Sequence, residues 1–159
     1  VKPLSIHRRA LEVIAETVRA SDPTLETGGA LFGFDTSDVI DHATTPGPEA
    51  VHGPGFFSRD RGHTETEAER LYLLDGSQWI GEWHTHPSMQ LVPSELDLST
   101  YARHLLDPDL RFGRFLTLIC SASEALRITA WHVRLVDELV RAERVPLSVA
   151  GRAGVSFTR

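Results

Sequence analysis

Pro87 closes the string Gly81-Glu82-Trp83-His84-Thr85-His86-Pro87 and limits what that string can become. A proline ring removes a backbone donor and clashes with the preceding helical turn, so it argues against a helix here. A helical metal motif would also space its histidines i, i+4, as in His-Glu-x-x-His. The segment from Trp79 to His84 is aromatic-rich and reads as a central strand. Side chains alternate faces on a strand, so His84 and His86 point the same way with their Cα atoms roughly 7 Å apart. The same parity puts Glu82 beside His84, and sends Trp79, Trp83 and Thr85 to the opposite, core-facing side.

Asp97 follows His86 by eleven residues, and Ser94-Glu95-Leu96-Asp97 opens a helix that runs on through Leu98, Tyr101 and Leu105. A carboxylate in a first helical turn is favoured by the helix dipole. The loop Ser88 to Val92 lets the chain reverse and return that turn to the strand. Two imidazoles and one carboxylate are the ligand set of a catalytic zinc site that keeps a position open for water. Zn²⁺ is thus the expected cofactor, held by His84, His86 and Asp97. A plainer reading stands beside this one. Ser94-x-x-Asp97 is also a helix cap, and the two histidines are also compatible with a half-exposed strand.

The rest of the chain frames this cluster. Its 159 residues suffice for one domain with a proper core, expected over residues 1–150, with a frayed tail at 151–159. A net charge of -6 without any basic run disfavours nucleic acid as a partner. The single cysteine, Cys120, lies in the apolar run Phe115 to Cys120 and reads as a buried structural thiol. No secretory leader is evident, and no apolar stretch approaches the ~20 residues that span a bilayer, so no membrane partner and a cytoplasmic location are the expectation.

Residues 5–20 carry apolar positions Leu11, Ile14, Ala15 and Val18 at helical spacing, with Ser5 as the expected N-cap. Gly28–Phe34 and Val39–Ala43 read as strands of a hairpin. Pro46–Gly62 reads as an irregular loop anchored by Val51 or Phe56-Phe57. Thr64-Glu65-Thr66-Glu67 resembles a capping box for a helix to Leu74. Phe115–Ser121 and Arg127–Val133 are the last expected strands. Such mixed elements point to an α/β sandwich rather than a regular βαβ array.

The string from Gly81 to Pro87, continued to Ser94-x-x-Asp97, resembles the JAMM (MPN+) metalloprotease motif His-x-His-x(10)-Asp with an embedded Ser. Glu26-Thr27-Gly28-Gly29-Ala30-Leu31-Phe32-Gly33 is similar to that family's Glu-x-Gly-Gly-x-Leu-x-Gly segment. The resemblance covers residues 5–133 in element order. It implies a cytidine-deaminase-like α/β/α fold around a mixed, curved sheet. It also implies a zinc hydrolase that cuts after the C-terminal glycine of ubiquitin or a ubiquitin-like protein. Carried over residue by residue, His84, His86 and Asp97 bind zinc, Glu26 is the general acid/base, and Ser94 helps hold the oxyanion. Glu82 competes with Glu26 and is read as a residue supporting the ligands or touching substrate. His63 and His104 are expected to lie apart from the metal, and His52 on the loop surface. Lacking long insertions, the chain looks like a short, stand-alone prokaryotic JAB-domain protein.

Three functions compete at this point. The first is an isopeptidase or peptidase acting on a ubiquitin-like modifier, including those of bacterial conjugation or antiphage-defence systems. The second is a sulfur-carrier peptidase releasing a small amino acid from a ubiquitin-like carrier. The third is a non-catalytic MPN scaffold, against which the complete ligand set speaks. A DNA-repair-associated relative with a similar His-x-His-Pro-Ser string fits the acidic balance poorly.

Overall fold

The computed structural model describes residues 2–123 and 125–150, so the expected tail at 151–159 lies outside the described residues. In chain order the elements are β1 (Leu4–His7), α1 (Arg8–Ala20), β2 (Gly28–Gly33), β3 (Val39–Ala43), β4 (Val51–His52), β5 (Phe57–Ser58), α2 (Arg61–Asp75), β6 (Gln78–His86), α3 (Glu95–Leu106), β7 (Phe115–Ser121), β8 (Ile128–Val136), β9 (Leu139–Val145) and β10 (Leu147–Ala150). Among the described residues, eight strands form one mixed sheet in the order β10-β1-β3-β2-β6-β7-β8-β9, and β4 pairs with β5 in a separate two-stranded sheet. β9 and β10 lie at opposite ends of that order yet only Pro146 separates them, so the sheet curls round on itself. Helix α1 packs on one face, and α2 and α3 on the other. This is the expected α/β/α arrangement.

The hydrophobic pattern explains the two layers. On α1, Ala10, Ile14 and Val18 are buried one turn apart, against Leu31, Ile40, Trp83, Leu116 and Leu118 of the sheet. Alternate residues of the same strands face the other way: Ala30 and Phe32 meet Leu71 of α2, and Phe115 and Val133 meet Tyr101 of α3. β2 is buried on both faces, and so is β7, which carries Cys120. Burial pushes the Cys120 thiol up, so it is an inert core group.

Several local expectations are corrected. Ser5 does not cap α1; it lies in β1, opposite Val39 and Ser148, and the helix starts at Arg8 without a side-chain cap. The alternation of buried Leu4 and Ile6 decides this, because a strand between β3 and β10 buries both. Nor does Thr64 cap α2. Asp60 does, accepting the His63 N–H at 3.0 Å, so the helix begins before the predicted box. The loop at 46–62 contains the β4–β5 hairpin, and Val51 and Phe56 are exposed rather than anchoring it.

The largest correction concerns Trp79. The register between β2 and β6 shifts so that Gly81 faces Leu31 while Trp79 faces Phe32, leaving Ile80 as an extra residue. Such a bulge reverses side-chain parity on one side of it. Ile80 therefore joins Trp83 in the α1 core, and Trp79 turns to the α2/α3 face among Phe112, Phe115 and His104.

Helix α2 ends on Gly76 in the left-handed conformation (φ 82°), followed by a tie from Asp75. Asp75 accepts the Ser77 N–H at 2.9 Å and faces His42 Nε2 at 2.6 Å. The Ser77 side chain foremost, then His42 and the Ser77 N–H, pull its carboxyl from 3.8 down to about 2. A depressed carboxylate contributes stability that is present above the unfolded value and lost as pH falls through the folded one. Asp75→Asn is accordingly expected to destabilise the protein by about 1 kcal/mol near neutrality. In urea titrations at stepped pH, the gap between variant and wild type should close between about pH 4 and pH 2. A gap independent of pH would disprove the tie.

Candidate metal centre and catalytic cleft

β6 and the first turn of α3 build the centre. Thr27 O accepts the Thr85 N–H at 2.8 Å, and Thr85 Oγ1 accepts the Thr27 N–H at 3.0 Å, so the chain just after Glu26 is stitched to the strand carrying both histidines. Gly28 pairs with His84, and a Cβ added at Gly28 would stand 2.2 Å from the Trp83 carbonyl oxygen. No larger residue fits between these strands without moving the ligand strand.

Ser94 and Asp97 form a complete capping box. Ser94 Oγ accepts the Asp97 N–H at 3.1 Å, and Asp97 Oδ2 accepts the Ser94 N–H at 2.7 Å. Asp97 also faces the histidines, with Oδ1 3.4 Å from His84 Nε2 and Oδ2 3.2 Å from His86 Nε2. The two Nε2 atoms are 2.9 Å apart. One Asp97 rotamer thus closes the cap and faces both histidines, so the cap reading of Ser94-x-x-Asp97 holds without excluding a ligand role.

Donor chemistry tests whether these residues suit a metal ion. His86 Nδ1 donates to the Gln90 carbonyl at 2.6 Å, which turns a bare Nε2 toward the cluster in the neutral ring. Two Nε2 lone pairs at 2.9 Å coexist only with a proton or a cation between them. Ligands at about 2.0–2.1 Å from a tetrahedral ion stand roughly 3.3 Å apart, close to the observed spacings. Both histidines are more than nine-tenths buried. The three residues form a group able to hold a metal ion.

Electrostatics agree. Burial opposes charge on Asp97, but the two imidazoles facing it outweigh burial and hold the carboxyl well below the usual carboxylate range. Burial likewise opposes charge on His84, and its acidic neighbours, Asp97 foremost, raise it nonetheless. The negative charge that favours a positive charge at His84 would equally favour a divalent cation in place of the proton.

Glu26, half-buried just before β2, lines the same cleft as His84 and Asp97. Burial raises its carboxyl; His84 and His86 pull it back, while Asp97 and Glu82 push it further up. Glu82 shares the site face but is held by Arg59 at 2.8 Å, and its Oε1 stands 3.6 Å from His84 Nδ1. That is too long for a hydrogen bond, and His84 Nδ1 has no partner among the described residues. Arg59 in turn lies 5.3 Å over the Trp79 ring. His63 bonds Thr45 at 3.1 Å, away from the cluster. His104 packs in the Trp79–Phe115 group on the cleft wall, where burial lowers it.

The cleft itself, about 810 Å³, runs between α2 and α3 and is walled by Phe32, Phe57, Trp79 and Leu96. Nothing in the sequence marks Arg59 or Trp79 for this wall. Arg59 sits in a loop without a motif, and the bulge that turns Trp79 inward has no local signature.

The family described as prokaryotic homologs of the JAB domain matches residues 7–134. The chain belongs to this family. This JAB domain is 32% identical over 133 residues, 79% of its length and 81% of the relative's, to a probable metalloprotease, y4qB, of Sinorhizobium fredii. It is 36% identical over 104 residues to a CD-NTase/cGAS isopeptidase of Pseudomonas aeruginosa, covering 63% of this chain and 66% of that one. Its fold matches the solution structure of protein DSY2949 from Desulfitobacterium hafniense with a TM-score of 0.64 at 20% identity, over 92% and 94% of the two chains. The JAB domain is a hydrolase of the metalloprotease and isopeptidase class, with a His-His-Asp group able to hold a metal ion. Among the described residues, no helix is long and apolar enough to cross a membrane.

Proposed function

We propose that this JAB domain is a zinc isopeptidase or peptidase that cleaves after the C-terminus of a ubiquitin-like protein. The observation that carries the reading is one cleft lined by the half-buried Glu26 together with His84 and Asp97 of the His84–His86–Asp97 group. Zinc, held by His84, His86 and Asp97, would supply an acidified water and a Lewis acid for the scissile carbonyl. Glu26 takes a proton from the attacking water and returns it to the leaving amine, a role served by a carboxyl that burial raises above its ordinary value. Ser94 uses its oxygen to accept from the Asp97 N–H, which leaves its O–H to donate where the oxyanion develops. Glu82, its carboxylate tied to Arg59, lies beside His84 and does not act as the base.

The substrate class rests on kinship and on shape. A relative named as an isopeptidase favours a protein conjugate, and an open cleft of about 810 Å³ admits an extended chain end. The test uses a ubiquitin-like domain extended at its C-terminal glycine by a folded protein, and the same domain extended by one cysteine. Release of the protein is the expected result. Release of cysteine alone would favour the sulfur-carrier peptidase, and release of neither, with metal bound, would favour the scaffold.

A further inference from the structure

The β4–β5 hairpin grips the backbone of Glu26 from two sides. The Glu26 N–H donates to the Gly53 carbonyl at 2.8 Å. The Glu26 carbonyl accepts from His52 Nδ1 at 2.9 Å, since a carbonyl can only accept. His52 and Gly53 are consecutive, so one short strand end holds both polar groups of this residue. The hairpin is closed by the Gly53 N–H to the Phe56 carbonyl at 2.9 Å, and Phe56 folds back so far that a Cβ on Gly53 would stand 2.1 Å from its ring. The His52 ring also rests beside Phe57, with centroids 5.5 Å apart. Phe56, Phe57, Ser58 and Arg59 continue from this turn into the wall of the cleft. One hairpin therefore touches the space for substrate with one strand and holds Glu26 with the other.

We infer that His52 is a positioning residue, which through its hydrogen bond to the Glu26 carbonyl sets the carboxylate of Glu26 over the reacting water. The inference rests on Glu26 being the acid/base proposed above. Glu26 precedes β2 and its side chain is aimed by its own backbone; the Thr27–Thr85 bonds hold the residue after it, and the two bonds from the hairpin hold the N–H and carbonyl of Glu26 itself. An ångström of drift at a catalytic group costs up to about a hundredfold in rate.

The test compares His52→Ala with His52→Asn, because an asparagine Nδ2 falls where the imidazole Nδ1 lies. On the ubiquitin-like fusion, His52→Ala should lower kcat by roughly 10- to 100-fold with KM and bound metal unchanged. His52→Asn should restore most of the loss. In a Glu26→Gln background, His52→Ala should cost nothing further, since the group it positions no longer accepts a proton. Without substrate or metal, amide hydrogen exchange at Glu26 should accelerate in His52→Ala and return to the wild-type rate in His52→Asn.

A rise in KM alone, an equal penalty in the Glu26→Gln background, failure of asparagine to rescue, or unchanged exchange would each overturn the inference. Wild-type activity in Glu26→Gln would remove the acid/base reading and this inference with it. An inactive Glu26→Gln beside an unaffected His52→Ala would remove this inference only.

Discussion

Asp97→Ala is expected to strip the protein of its metal and of essentially all hydrolytic activity. The carboxylate faces both histidines within 3.4 Å, and without it two uncharged imidazoles remain to hold a dication. A fall of at least about a thousandfold in rate, or about 4 kcal/mol of transition-state stabilisation, follows from losing the activated water. The same side chain closes the capping box, so alanine should also cost about 1 kcal/mol of stability. Asp97→Asn separates the two effects. Its amide oxygen can still accept the Ser94 N–H, while its neutral head binds a hard cation poorly. The expected outcome is near-native thermal stability with little metal, read as the metal-to-protein ratio after dialysis. Stoichiometric metal in both variants would show that the centre lies elsewhere.

Glu26→Gln carries the second large effect, of a different kind. Glutamine keeps the shape and the backbone bonds to the hairpin, so fold and metal content should be unchanged. What disappears is the ability to take up and return a proton, a loss worth about 10²- to 10⁴-fold in kcat. Paired with Asp97→Asn, the two variants divide the site: one keeps its metal without turnover, the other keeps its fold without metal. Full activity in Glu26→Gln would turn attention to Glu82. That residue starts from a weaker position, because Arg59 already occupies its carboxylate at 2.8 Å.

Much of the metal centre is legible in the linear chain. Placing His84 and His86 on one strand face needs only the period of two, and Pro87 excludes the helical spacing. Asp97 in a first turn follows from the cap pattern at Ser94. These rules act within a few residues, so a linear reading can apply them. The hairpin of β2 with β3 and the antiparallel β7–β8 pair are readable in the same way, from short apolar runs broken by turn residues.

The corrected expectations share a cause. Ser5 looks like a cap only until β3 and β10 are placed on either side of it. β9 and β10 carry too little hydrophobic alternation to stand out, and they exist because the curled sheet offers each an edge. His52 reads as a surface residue and is one, but its Nδ1 reaches a carbonyl 26 residues away in sequence. Register and long-range pairing cannot be summed from local preferences.

By itself, then, the amino-acid sequence determined the candidate ligand group, the strand that carries two of its members and the helix start that carries the third. Each follows from backbone period, proline or capping chemistry over a dozen residues or fewer. The tertiary structure alone decided which groups stand around that centre. A single bulge at Ile80 turned Trp79 from the core into the cleft, Arg59 came from a loop to hold Glu82, and a hairpin from the same loop took hold of Glu26. Those placements depend on how strands slide and which edges meet, and packing of the whole chain selects among registers that local energies leave nearly equal.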